Sequence, residues 1–429
     1  MMVWLFLAQW SWLQVDAPGD VGYYAALALD SQDWPHIAYC DFTTYGVKYA
    51  RWAGSGWQTQ RVDTIGSASG GYVSVDLDSQ DRPCISYSYW IDGVNSDLKY
   101  AYWNGSSWQR QTVDTVGNTL WTSLALNSLD RPCIAYSDNG YSIIQYAYWN
   151  GSAWVLQQVD ILGICTSLAL DSQDRPHIAY YSFGASARDL KYAYWNGSSW
   201  QTQKVDTAGS VGLWTSIAID SQDRPHISYY DSSAAKRDLK YAYWNGSSWQ
   251  IQTVDTAGDV GRYTSLALDS QDRPHIAYYD VTNQRLKYAV WNGSSWTIEV
   301  ADPNTWAGYW MTDRSLQVGS DDCPRIAYYR SGDLYYAHRG CPPLEIGESS
   351  GPKENSIVML STVSVEIRLT KAGQLTAYDP IGRELRTWSL EPGRHSISLD
   401  GIGKGVCFLA LSSHGNIVDT RTIVLNPGE

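Results

Sequence analysis

Apolar and polar positions in this chain alternate in short bursts, and the bursts recur. In one stretch, "TSLALDS" from Thr264, "PHIAYYD" from Pro274, "RLKYAVW" from Arg285 and "SWTIEVAD" from Ser295 follow one another. Apolar residues alternate or run on for five to seven positions, as strands covered on both faces do. Turn chemistry closes each burst: Asp-Ser-Gln-Asp-Arg-Pro between the first and second, Asn-Gly-Ser-Ser between the third and fourth.

The turn proline returns at Pro35, Pro83, Pro132, Pro176, Pro225, Pro274 and, in a degraded copy, Pro324, at spacings of 44 to 50 residues. Seven copies of a four-strand unit without helical periodicity predict an all-β fold, a seven-bladed β-propeller. The seventh copy ends after a third strand near Leu334–His338. The missing strand stands at the other end of the chain, because "SWLQVDAPGDVGYYAALALD" (Ser11–Asp30) aligns with "SWQIQTVDTAGDVGRYTSLALD" (Ser248–Asp269). Trp12–Asp16 is therefore expected to pair with the last blade, closing the ring and leaving no open edge. Residues 1–341 form the propeller, 342–356 a linker rich in Pro, Gly, Ser and Glu, and 357–429 a small antiparallel β-sandwich with Gly turns.

Composition narrows the partners. A net charge of -13 argues against nucleic acid. No run of 18 apolar residues exists, so no transmembrane helix is expected. The opening "MMVWLFLA" lacks a basic start; it reads either as the tail of a secretory leader or as a first strand.

Repetition supplies an internal control: a residue present in every copy belongs to the scaffold, and one that departs from the pattern on a loop is a better functional candidate. The second-strand tyrosines, from Tyr39 to Tyr328, and the turn prolines fall in the first group. So does the Val-Asp ending of the fourth strand, at Asp16, Asp63, Asp114, Asp160, Asp206 and Asp255. These carboxylates are expected to cap turns, because one per blade would be too dispersed to hold calcium. His36, His177, His226 and His275 are kept apart by the same symmetry, so no metal or other cofactor is expected.

Two turn families are nearly constant and share one face of the disc; the other two vary and share the opposite face. On the variable face, Tyr24, Tyr72, Trp121, Cys165, Trp214, Tyr263 and Asp313 stand at the start of the innermost strands. Five of these seven are aromatic. Such rings could stack against the apolar faces of sugars, or they could simply plug the pore. Tyr24, Tyr72, Trp121, Trp214, Tyr263 and Asp313 are accordingly the candidate ligand-binding residues, and none is assigned as catalytic. Through Gly340 the ring holds a single glutamate, Glu299, whereas glycoside hydrolysis ordinarily needs two positioned carboxylates. The expectation is a monomeric, non-catalytic binding protein for a glycan or surface polymer. The alternatives are a sialidase- or lyase-like carbohydrate-active enzyme and a protein-binding scaffold or adhesin. Cys323 and Cys341 are expected to face each other across a turn centred on 331–333 and to form a disulfide, which implies an oxidising compartment.

The C-terminal residues carry a resemblance. "LTAYDPIGRELRTW" (Leu375–Trp388), "GRHSISLDGIGKGVCFLAL" (Gly393–Leu411) and "DTRTIVL" (Asp419–Leu425) resemble the type A sorting domain of the type IX secretion system. The match lacks that family's Asn-Pro opening and adds a trailing "NPGE". The resemblance implies export, contact with the type IX secretion machinery, and a secreted or outer-surface location. The ring resembles the repeat propellers of secreted bacterial proteins and, more distantly, Trp-rich lectin propellers; its Ser-x-Asp element resembles the Asp-box of the sialidase-like superfamily, without the Gly-x-x-Thr-Trp that follows it there.

Overall fold

The structure is a computed structural model that describes residues 10–66, 72–91, 95–138, 142–184, 187–234 and 236–340 of the ring. Beyond the ring it describes 355–361, 364–369, 372–378, 384–398, 405–413 and 416–425. The described residues divide into two compact units, within 10–340 and within 355–425.

The first unit is a seven-bladed β-propeller of four-stranded antiparallel sheets. Blade 1 holds Val21–Leu29, Pro35–Asp41, Gly46–Trp52 and Trp57–Thr64 in spatial order. Blade 2 spans Val73–Asp114, blade 3 Thr119–Ile161, blade 4 Gly163–Asp206, blade 5 Val211–Asp255 and blade 6 Val260–Asp302. Blade 7 takes Leu316–Val318, Pro324–Arg330 and Asp333–Arg339 from one end of the ring and Trp10–Asp16 from the other. Trp12 pairs with Ala337 and Asp16 with Leu334, which is the expected closure. The closing strand begins two residues earlier than expected, at Trp10.

Three repeated bonds explain why the same letters recur. Within the Asp-Ser-Gln-Asp turn, the serine donates to the second aspartate of the next blade. Ser31 reaches Asp81, Ser221 reaches Asp272 and, across the seam, Ser320 reaches Asp33. The hydroxyl bond recurs at all seven boundaries, at 2.5–2.9 Å. The accepting aspartates all adopt φ of 57–61°, a left-handed conformation that Asp tolerates better than most residues.

The second bond joins the Val-Asp ending to the buried second-strand tyrosine of the next blade. Each tyrosine hydroxyl donates to it at 2.5–2.7 Å, from Tyr39 on Asp16 to Tyr328 on Asp302. A lysine or arginine joins at most boundaries, such as Lys240 on Asp206 and Arg330 on Asp302. Turn capping is present as well: Asp114 accepts the Val116 N–H and Asp255 the Ala257 N–H.

Third, the fourth-strand tryptophan donates its indole N–H to a glutamine of the preceding blade, as in Trp108 to Gln60 and Trp296 to Gln252. In the closing strand Trp10 takes this role and reaches Glu299. Leu13 stands where the other blades carry the glutamine, so the Trp57 indole N–H is buried without a partner. Each histidine stays within its own blade: His177 bonds Tyr192 at 2.5 Å and Asp171 at 3.2 Å, occupying both ring nitrogens.

In the last hairpin, Arg330 pairs with Asp333. Its turn is therefore Ser331–Gly332, and the register sits one residue off the expected one. Cys341, and with it the proposed bond to Cys323, lies outside the described residues.

The second unit contains two antiparallel sheets. One orders Asn355–Ser361, Ser364–Leu369 and Gly393–Ser398. The other orders Glu384–Leu390, Gly373–Tyr378, Gly405–Ser413 and Asn416–Leu425. No helix among the described residues is long and apolar enough to cross a membrane.

Candidate functional site: an aromatic collar over a plugged channel

In blades 1, 3, 4, 5 and 6 the first strand pairs with the second through a bulge. In blade 3 the register shifts between Leu120 and Ser123, and in blade 6 between Arg262 and Ser265. The residue at the bulge takes positive φ: Tyr24 54°, Trp121 47°, Cys165 58°, Trp214 51° and Tyr263 54°. Bulges re-aim side chains, and here they bring them to the axis. The six candidate residues, Tyr24, Tyr72, Trp121, Trp214, Tyr263 and Asp313, all line one cavity there, together with Cys165.

Asp313 is not the seventh equivalent of the aromatic positions, as sequence alignment suggested. Trp310 is, with φ of 61°. The preceding glycines confirm the match. A Cβ on Gly261 would meet the Leu239 backbone at 2.7 Å, and one on Gly308 would meet the Leu286 side chain at 2.8 Å. Blade 7 then inserts Met311, Thr312 and Asp313 before the strand resumes. Six of the seven collar positions are therefore aromatic.

The rings touch in sequence. Centroids lie 5.1 Å apart for Trp121–Tyr72, 4.4 Å for Tyr72–Tyr24, 5.6 Å for Tyr24–Trp310, 5.4 Å for Trp310–Tyr263 and 4.8 Å for Tyr263–Trp214. Cys165 interrupts the arc, and burial pushes its thiol up to about 12. Burial likewise raises the phenols of Tyr24, Tyr72 and Tyr263, so all three stay neutral.

Below the collar the insertion plugs the channel. Ser123 and Ser167 donate to the Asp313 carboxylate, each at 2.7 Å, while Ser216 and Ser265 donate to its carbonyl at 2.8 and 2.9 Å. These serines come from four successive blades, and each also accepts a backbone N–H from the next blade, as Ser123 does from Leu168. Burial raises the Asp313 carboxyl above the usual range. Arg314 donates to the Leu168 carbonyl at 2.9 Å, and its carbonyl accepts the Leu27 N–H. Asp76, also raised by burial, replaces the alanine found at its place in five other blades. The pore serines and Asp76 were missed in the sequence; the departure from alanine was the available signal for Asp76.

The cavity between collar and plug measures about 40 Å³. One water needs roughly 10–15 Å³ on this measure, so a sugar cannot enter. Nor can Asp313, held by two serines, reach a bond to be cleaved. What remains is the outer surface of the collar. Tyr23, Phe42 and Tyr329 flank it on one side, with Tyr23 4.4 Å from each of the other two rings. On the other side Tyr230 lies 5.4 Å from Trp214, and Arg262 stands 5.6 Å from both rings. Asp259 accepts from Tyr230 at 2.8 Å and from Arg262 at 2.9 Å. Although burial works against it, Tyr230 and Asp259 hold the Arg262 guanidinium more firmly charged.

Neither a protein-family model nor a curated protein matches this sequence. Solved structures do resemble it. A PL25 ulvan lyase, bound to GlcA(1-4)Rha3S, is 12% identical with a TM-score of 0.50, over 76% of this chain and 95% of its own. YCF48 bound to a D1 peptide is 14% identical with a TM-score of 0.50, over 79% and 97%. The SapL1 lectin with α-methyl fucoside is 14% identical with a TM-score of 0.45, over 66% and 97%. At such identities the likeness to the ulvan lyase and YCF48 establishes the propeller fold.

Proposed function

We propose that the ring is a non-catalytic carbohydrate-binding module that stacks a glycan or surface polymer on the aromatic platform of its variable face. The fold does not choose, since structures of equal similarity are a polysaccharide lyase and a peptide-bound protein. The site chemistry favours sugar: neutral rings meet around the axis, and the half-buried Arg262 guanidinium, held by the buried Asp259 and Tyr230, stands beside them as a hydroxyl-binding donor. The carrying observation is that six of seven collar positions are aromatic while the space beneath has room only for water.

The test is a glycan array probed with the full chain and with Trp214→Ala. Binding to a defined glycan that Trp214→Ala weakens at least tenfold supports the reading. Binding to no glycan, or equal binding by the variant, rejects it. We also propose that the protein is exported through its C-terminal unit, because the motifs resembling a sorting domain overlap the strands Gly373–Tyr378, Glu384–Leu390, Gly393–Ser398 and Gly405–Ser413 of that unit. Loss of extracellular protein on deleting residues 357–429, in a host with type IX secretion, is the expected outcome; unchanged export contradicts it.

A further inference from the structure

We infer that a second, single-copy sugar site lies between blades 1 and 2, on the face of the constant turns. This inference shares a ligand class with the platform but rests on different residues. A groove of about 460 Å³ opens there, lined by Trp34, Arg51, Trp52 and Ala53 of blade 1 and by Gln80 and Trp103 of blade 2, among others.

The repeat explains why the groove is here. Five other blades place arginine where Trp34 stands, from Arg82 to Arg273. Four place tyrosine where Arg51 stands, and that tyrosine stacks on its neighbour, as Tyr102 does on Tyr100 at 5.8 Å. Five place asparagine where Ala53 stands, and its amide caps the turn, as Asn104 does for Ser106 and Ser107. Blade 1 thus departs from the pattern at three positions, and all three line one groove. Removing the stacked tyrosine and the asparagine vacates space. Arg51 turns aside to bond Gln58 at 3.1 Å, and Trp34 adds an indole wall.

A second observation points to a ligand. Trp52 lines the groove, is 5% exposed, and its indole N–H is buried without a partner. A buried donor left unmade costs free energy, and a ligand hydroxyl returns it once the groove wall shifts enough to uncover the indole N–H. The volume falls in the range of small-molecule sites. Tryptophan surfaces combined with Gln32, Gln80 and Arg51 suit a ring that is apolar on its faces and hydroxylated at its edge, a single sugar residue at the end of a glycan.

The probe set is the methyl glycosides of glucose, galactose, mannose, fucose and glucuronic acid, titrated into full-length protein carrying 15N-labelled tryptophan. One of them is expected to shift the Trp52 indole resonance saturably. The variant Trp34→Arg with Arg51→Tyr restores residues that other blades carry, so it should fold; an unchanged melting temperature verifies this. It is expected to lose affinity at least tenfold, while Trp214→Ala leaves the groove's response intact. No shift at Trp52 with any of the five sugars, or full binding by the restored variant, overturns the inference. Either result leaves the platform to be judged by its own variant.

Discussion

Blade 5 is one continuous stretch, Val211–Asp255, whereas blade 7 joins Trp10–Asp16 to Leu316–Arg339. Their aspartate bonds to the next blade are close to identical. The fourth strand of each ends in an aspartate that accepts a tyrosine of the next blade and a lysine: Asp255 with Tyr278 and Lys287, Asp16 with Tyr39 and Lys48. Among the bonds to the next blade, the difference lies at one position. Gln252 of blade 5 serves the Trp296 indole, but Leu13 of blade 7 leaves Trp57 unserved. Closure is therefore held by the same aspartate bonds as the interior of the ring, with one indole bond missing at the seam.

The strongest way to break this equivalence is to delete the strand through Asp16. Blade 7 would lose its outer strand, and cooperative melting is expected to vanish, a loss of at least about 5 kcal/mol, comparable to the whole net stability of a domain. Size-exclusion chromatography should show aggregation from the exposed edge. Next, Tyr39→Phe and Tyr278→Phe should each cost about 1.5–3 kcal/mol in urea unfolding, as expected for hydrogen bonds to charged groups. If closure is equivalent, the two costs agree.

Blades also differ among themselves in a way that pH reveals. Burial lowers the pKa of His177, His226 and His275 against the pull of their aspartates. The unfolded chain then binds protons that the folded ring does not, so stability rises with pH through the window just below 6.5 and is lost on acidification. Each histidine contributes at most about 1.4 kcal/mol per pH unit. Blades 2 and 3 carry Cys84 and Cys133 at this place. Replacing all three histidines by cysteine should flatten the pH dependence of the melting temperature in that window. The smallest effect is a gain: Leu13→Gln should supply the partner for Trp57 and stabilise by about 0.5–1.5 kcal/mol in the same urea assay.

The ring, its blade count and its closure were legible because repetition turns one packing solution into seven copies of a sequence pattern. The collar residues were legible for the same reason, as Tyr24, Trp121 and Trp214 occupy equivalent places. The plug was not. Three inserted residues shifted Trp310 out of alignment and put Asp313 in its place, and no local pattern shows an insertion folding inward. The inter-blade bonds were half legible: the Val-Asp turn cap could be expected from sequence, but its second role, accepting Tyr136 across a boundary at 2.6 Å, depends on a contact between blades. The groove between blades 1 and 2 was written as departures at Trp34, Arg51 and Ala53, which acquire meaning only when the fold gathers them.

The most direct measurement is the electron density of the full chain crystallised with the glycan that binds most tightly on an array. The account predicts a sugar ring stacked on the collar, against Trp214 or against Tyr23 and Phe42, with hydroxyls toward Arg262. A bare collar with the glycan seated elsewhere would contradict it.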